Sequence, residues 1–145
     1  MEIRLAEKKD MSVLAALACR LWPEHTVAEM EDAFGGIVGN PDAAVYLAFE
    51  DDTAVGFAQC QLRTDYVEGT GSSPVGYLEG IYVAEGFRER GIAKVLLSAC
   101  ESWAKTKGCD EFASDCELSN TQSLRFHLSV GFEEANRIIC FTKKL

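Results

Sequence analysis

The sequence predicts an α/β (α+β) domain, one sheet with helices packed on it, from three observations. Apolar runs of strand length at 43–49, 54–62 and 75–83 are bounded by turn residues. Between and beside them lie segments whose apolar residues recur at helical spacing, above all Ile92, Val95, Leu96, Ala99, Cys100 and Trp103. The chain has 145 residues, the size of one ordinary domain, and no repeat or linker interrupts it, so 1–145 is expected to be a single domain.

Taken in order, Ile3 to Leu5 reads as a short first strand. Asp10 can cap a helix whose buried stripe is Leu14, Leu17, Ala18 and Leu21, and Pro23 stops it. Thr26 and Glu29 form a capping box for a second helix with Val27, Met30, Phe34 and Ile37 on its apolar face. Asn40-Pro41-Asp42 is a turn. Ala43 to Phe49 and Ala54 to Leu62 then read as a hairpin joined through Glu50 to Thr53. Thr64 to Pro74 is a long polar loop, of a length that is often functional. Val75 to Val83 is the next strand, and the strong helix after it ends at Gly108. Glu111 to Ser114 reads as a short strand. Asn120 or Ser119 caps a helix that runs to Val130, with Gly131 ending it. Phe132 to Glu134 and Ile138 to Thr142 read as a final pair of strands. The predicted order is β-α-α-β-β-β-α-β-α-β-β.

Charge narrows the partners. Fourteen Lys and Arg against 23 Asp and Glu leave a net charge of −9, which disfavours nucleic acid and anionic membranes and favours a cationic partner. The chain shows neither a signal-peptide pattern nor an apolar run long enough to span a bilayer, so a cytoplasmic protein is expected. The six cysteines form no C-x-x-C pair and no cluster with zinc spacing. No metal is expected, and the cysteines read as small apolar fillers.

The stretch with chemical content is Gly80 to Lys94. A strand runs into a tight turn, Arg88-x-x-Gly91-x-Ala93, that opens a helix. Free N–H groups and the positive end of the helix dipole make such a place an anion site. Gly91 and Ala93 let the backbone come close to a phosphate, and Arg88, Arg90 and Lys94 add positive charge. A pyrophosphate suits it.

With these residues in place, the chain resembles the GCN5-related N-acetyltransferase (GNAT) superfamily over nearly its whole length, including Asn120 and the ending Gly131-Phe132. The resemblance implies a mostly antiparallel mixed sheet, splayed between its fourth and fifth strands and flanked by about four helices. It implies acetyl-CoA as co-substrate, held by Ile81, Tyr82, Val83, Arg88, Arg90, Gly91, Ile92, Ala93 and Lys94, with Asn120 and His127 beside it. One position departs from the family pattern. His127 stands where a tyrosine often protonates the departing thiolate; a histidine can act as acid, hold the sulfur, or simply pack beside Phe126 and Phe132.

A narrower likeness lies in Leu21-Trp22-Pro23, Arg63-x-Asp65-Tyr66-Val67-x-Gly69, Ser73 to Val83 and Glu111 to Asp115. These stretches resemble the bacterial aminoglycoside 6′-N-acetyltransferases. The likeness implies direct acetyl transfer to a polycationic aminoglycoside, with Trp22, His25, Tyr66, Glu79, Asp115 and Glu134 around the substrate. Glu79 or Asp115 would be the general base, and the sequence does not choose between them. The N–H of Val83 would polarise the thioester carbonyl. The residues alone already single out Glu79, a carboxylate inside an apolar strand, which needs either a partner or a function. The alternatives are an acetyltransferase for polyamines or other cellular amines, and a non-catalytic acetyl-CoA-binding module. Pairing of related enzymes through their C-terminal strands implies a homodimer built on Arg137 to Leu145.

Overall fold

A computed structural model describes the chain from Met1 to Leu145. Five strands stand in sequence order across one sheet: β1 (Glu2–Leu5), β2 (Ala43–Glu50), β3 (Thr53–Arg63), β4 (Val75–Val83) and β5 (Phe112–Ser114). β1 to β4 pair antiparallel and β4 with β5 parallel. The parallel step needs a crossover, which the helix α3 (Ile92–Thr106) supplies.

Helices cover both faces, so the central strands carry apolar residues on both sides. On one face α1 (Met11–Leu21) and α2 (Val27–Gly35) bury Leu14, Ala18, Met30 and Phe34 against Leu47 and Phe57. On the other, α3 buries Ile92, Leu96, Leu97, Cys100 and Ala104. The expected α3 stripe is therefore turned slightly. Leu97 is inside, whereas Val95 lies at the flank and is 41% exposed. On α2, Val27 is likewise exposed, because only Met30 and Phe34 reach the sheet. Its cap is as expected: Thr26 Oγ1 accepts from the Glu29 N–H at 3.1 Å.

Asp10 stands at the start of α1 but does not cap it with its side chain. Its buried carboxylate accepts two hydrogen bonds from Arg4, at 2.7 and 2.8 Å, and one from the Glu7 N–H at 2.8 Å, tying β1 to the helix entry. The Arg4 guanidinium holds the Asp10 carboxyl down at about 2. Because the folded-state value lies below the unfolded one, the stabilisation is complete above pH 4 and fades as pH falls toward 2. The stability gap between wild type and Asp10→Asn, from urea unfolding, is expected to shrink by about 2 kcal/mol between pH 6 and pH 2. A gap independent of pH would refute this.

The largest departure from the expected order is at the C-terminus. After α4 (Thr121–Ser129), neither 132–134 nor 138–142 is a strand. A strand exists only where a ladder partner lies alongside, and this segment leaves the sheet instead. Phe132 packs on the rings of Phe112 and His127. Ala135 closes over Gly69, and Asn136 donates to Glu68 at 2.9 Å. Beyond them Ile138, Ile139 and Phe141 are 69, 80 and 87% exposed. The outer edge of β5 pairs with nothing in the chain. All six cysteines are free; Cys60, Cys100 and Cys109 are buried as fillers, but Cys116 and Cys140 are exposed.

Candidate active site

The ladder between β4 and β5 is three pairs long and stops at Leu78↔Ser114. From Glu79 onward the two strands part. At the same point the β3–β4 ladder slips. Cys60 faces Leu78 and Gln59 faces Gly80, so Glu79 is a bulged residue without a partner. The slip breaks the simple alternation expected of this strand and re-aims Glu79.

Past the bulge, the hydrogen bond from the Ala84 N–H to Val55 O (2.7 Å) fixes which way β4 faces. Bonded and non-bonded pairs alternate in an antiparallel ladder, so Tyr82 turns its backbone to β3, while Ile81 and Val83 turn theirs to the open side of the split. Arg88 Nε donates to the Val83 carbonyl at 2.8 Å, leaving the Val83 N–H as the group directed into the cleft. Of the expected backbone contributors, Ile81 and Val83 therefore face the cleft and Tyr82 does not; the Tyr82 ring instead lies under Arg88, 5.6 Å away.

The turn before α3 is built for an anion. Glu89 and Gly91 both have positive φ, 62° and 79°. The backbone N–H groups from Glu89 to Lys94, including Ile92 and Ala93, make no hydrogen bond within the chain. Six unspent donors at a helix N-terminus form a concave cradle. Arg90 donates to the Gly86 carbonyl at 3.1 Å and lies over Phe87, which firms the preceding bend. Lys94 is exposed on the first turn of α3. Asn120 spends its side-chain oxygen on the Ser123 N–H, capping α4.

His127 projects from α4 to the vertex of the split. Its Nδ1 lies 2.7 Å from the Ser123 carbonyl, which can only accept, so that nitrogen carries a proton. Nε2 shares a hydrogen bond of 2.8 Å with the hydroxyl of Ser114, the last paired residue of β5. His127 thus packs against Phe126 and Phe132 and also reaches the cleft.

The two carboxylates singled out in the sequence converge from opposite sides of the split. Both oxygens of Glu79 are held by Arg63: Nε and Nη2 to Oε1 at 3.0 and 2.9 Å, Nη2 to Oε2 at 2.9 Å. Arg63 thus supplies the partner that a half-buried carboxylate in an apolar strand requires. The same guanidinium lies 3.5 Å above the ring of Tyr77, whose hydroxyl donates a short hydrogen bond to Asp115 Oδ2. Burial, and then Asp115, push the Tyr77 phenol far above its ordinary range, so it stays a donor. Asp115 is exposed, and its Oδ1 has no partner. Neither Arg63 nor Tyr77 was expected as a site residue. A cross-strand register would have found them, since Tyr77 sits opposite Ala113 on β5, two residues from Asp115.

Trp22 lies against the β4 backbone. A Cβ at Gly80 would come within 2.7 Å of its ring, so the indole forms a wall beside Glu79. The other expected substrate residues stand further out. His25 pairs with Glu29 at 3.0 Å on the exposed start of α2. Tyr66 is 80% exposed, its hydroxyl on Glu68. Glu134 is paired with Arg137. An open cleft of about 390 Å³ runs along Thr64 to Ser73, including Asp65 and Tyr66.

β4 thus parts from β5 at Glu79 and leads into a helix-opening cradle of free N–H groups. The acetyltransferase (GNAT) family model fits residues 10–132. This chain belongs to the GNAT acetyltransferase family. Its relatives include the aminoglycoside N(6′)-acetyltransferase type 1 of Salmonella enteritidis, 40% identical with 99% of each chain covered. The enzyme of the same name from Acinetobacter haemolyticus is 35% identical, over 100% of this chain and 99% of that one. Among solved structures, AAC(6′)-Iy in complex with the bisubstrate analogue CoA-S-monomethyl-acetylneamine superposes with a TM-score of 0.95 at 40% identity, covering 99% of this chain and 98% of that one. This GNAT chain therefore shares its fold with that solved structure over essentially its full length.

Proposed function

We propose that the protein is an acetyl-CoA-dependent N-acetyltransferase that acetylates the 6′-amine of aminoglycosides and so confers resistance, all 145 residues forming one catalytic domain. The observation that carries the proposal is the placement of two carboxylates, Glu79 and Asp115, at the vertex of a split whose other end is the N–H cradle. Full-length likeness to enzymes of that name supports the substrate class.

The transfer is direct. Acetyl-CoA supplies the thioester, its pyrophosphate on the N–H groups of Glu89 to Lys94. The Val83 N–H faces the thioester carbonyl and stabilises the developing oxyanion. Trp22 and Glu79 hold the sugar and one of its ammonium groups. The reacting amine must lose a proton before it attacks. Asp115 takes that proton through Oδ1, because Tyr77 already occupies Oδ2 and Arg63 occupies both oxygens of Glu79. Nitrogen then bonds to the carbonyl carbon, the C–S bond breaks, and the second proton that nitrogen must lose passes to the leaving sulfur, relayed by the Ser114 hydroxyl that His127 Nε2 holds, to give free CoA thiol. Holding amine and thioester together in attack geometry supplies much of the acceleration.

The test is CoA release from acetyl-CoA with kanamycin A and with an analogue carrying hydroxyl at the 6′-position. Free CoA is followed by chromatography, since Cys116 and Cys140 would react with a thiol reagent. Turnover with the first alone is expected. Equal turnover with both refutes the 6′ assignment, and preference for spermidine refutes the substrate class.

The protein works as a homodimer in the cytoplasm. The exposed apolar tail Ile138 to Leu145 and the unpaired edge of β5 support the dimer, and six unpaired cysteines suit a reducing compartment. Light scattering at micromolar concentration is expected to give twice the 15.9 kDa chain mass; the chain mass itself would refute the dimer.

A further inference from the structure

One face of β3 changes character half-way along. Phe57, Gln59, Gln61 and Arg63 point to the same side, since alternate residues of a strand share a face and the extra residue of the bulge lies in β4. Phe57 is packed in the core beneath α1 and α2, together with Val45 and Leu47. The next three positions on that side are polar. In the sheet Gln59 stands between Val45 of β2 and Gly80 of β4, and Gln61 stands opposite Tyr77. The Trp22 ring fills the place that a side chain at Gly80 would take. Glu79, the residue before Gly80, is held from the same side by Arg63, and Tyr77 reaches Asp115. Gln59 is therefore the innermost polar residue of the wall that also carries Trp22 and Glu79.

Gln59 is only 8% exposed, yet its carboxamide makes no hydrogen bond to any group of the chain. Every side-chain nitrogen or oxygen that is fully sealed from solvent does have a partner. Both polar atoms of this amide therefore keep a small opening to the outside. Its neighbours on the wall are already engaged: Arg63 with Glu79, and Tyr77 with Asp115. A nearly buried polar group without a partner is costly, and one that keeps an opening is placed to receive a ligand atom.

We infer that Gln59 is a specificity-determining residue, whose carboxamide receives a hydroxyl group of the amino-sugar ring that carries the reacting amine. A carboxamide donates through Nε2 and accepts through Oε1, as a hydroxyl both donates and accepts. The match is to a neutral group, and the ammonium groups are left to Glu79 and Asp115. The ring with the reacting amine is the one concerned, because Gln59 lies on the rung of Gly80, just past the last paired rung of β4 and β5. An open-chain polyamine has no hydroxyl. Its methylenes would strip water from the amide and return no hydrogen bond. A site built to pair with a substrate hydroxyl discriminates against a ligand that leaves its polar group unpaired.

This inference rests on the proposed substrate class, and the experiment separates the two. Steady-state kinetics compare kanamycin B with dibekacin, the same molecule without the 3′- and 4′-hydroxyls of the ring that bears the 6′-amine. The proteins are wild type, Gln59→Met, which keeps the length and unbranched shape without the amide, and Gln59→Leu. The Kd for acetyl-CoA, by calorimetry, is the control for an intact fold. Wild-type silence on both compounds would sink the substrate class. With an active wild type, kcat/KM is expected to be about tenfold higher for kanamycin B, the scale of one hydrogen bond to a nearly buried group. In the Met variant that preference should shrink to about twofold or less, through a fall on kanamycin B alone. Equal loss on both compounds, with the preference intact, would make Gln59 a structural support and overturn the inference. Wild-type indifference to the two hydroxyls would overturn it as well, with no variant needed. If the Met variant does not bind acetyl-CoA, the Leu variant is judged by the same ratio.

Discussion

Replacing Asp115 by asparagine is expected to lower kcat for 6′-acetylation by about a hundredfold to ten-thousandfold, the usual range for a lost general base. The substitution keeps the local geometry, because an amide oxygen still accepts from the Tyr77 hydroxyl. What disappears is the charged, unpartnered oxygen that receives the amine proton. Since the acetyl-CoA cradle lies at the far end of the split, the KM for acetyl-CoA should hold. Glu79→Gln is expected to act differently. Its oxygens are engaged by Arg63, so the loss should appear mainly as a KM for aminoglycoside raised about tenfold, the scale of one charged hydrogen bond. Measuring kcat and KM for both substrates on both variants decides the assignment. Should Glu79→Gln lose kcat while Asp115→Asn keeps it, the two roles are reversed.

The second large effect concerns Gly91. Its φ of 79° is what turns the N–H groups of the loop inward, and a Cβ placed there would touch nothing within 4 Å. Gly91→Val should therefore fail for reasons of backbone conformation and not of crowding. A β-branched residue is strained at positive φ, and the loop relaxes to another conformation that turns the N–H groups away. The Kd for acetyl-CoA, by calorimetry, is expected to rise about tenfold to a hundredfold, in line with a few kcal/mol of backbone strain. The core sits elsewhere, so the urea midpoint should move little. An unchanged Kd would mean that the cradle does not hold the pyrophosphate.

Local signals carried much of this architecture. The capping pair of Thr26 and Glu29, the turn around Gly91, and the span Val75 to Val83 were legible because each is settled by residues within a few positions of one another. Features that depend on distant partners were not. The tail from Phe132 onward has the composition of strands, but a strand needs a neighbour, and nothing within 132–145 says that β5 will leave its outer edge unpaired. The turn of α3 that buries Leu97 and exposes Val95 is imposed by where the sheet lies under it.

The candidate site divides in the same way. Glu79 stood out as a carboxylate in an apolar strand, and Asp115 as a polar residue at a strand end. Their partners did not, because Arg63 is 16 residues from Glu79, and Tyr77 is 38 from Asp115. Aromatic type alone did not separate Tyr66, whose ring stands in solvent along the open cleft, from Trp22, which lies on the backbone at Gly80.

The slip in β4 has a consequence for how such chains are aligned and edited. Because Cys60 pairs with Leu78 and Gln59 with Gly80, removing the single residue between them would leave every other rung of that ladder in place. A gap that is ruinous in the middle of most strands is, at this one position, invisible to the pairing. Its cost is felt in shape. The extra residue adds local twist and bends the strand, and the bend lies where β4 and β5 separate. A chain shortened there is expected to keep its sheet and to lose both the bend and the Glu79 carboxylate.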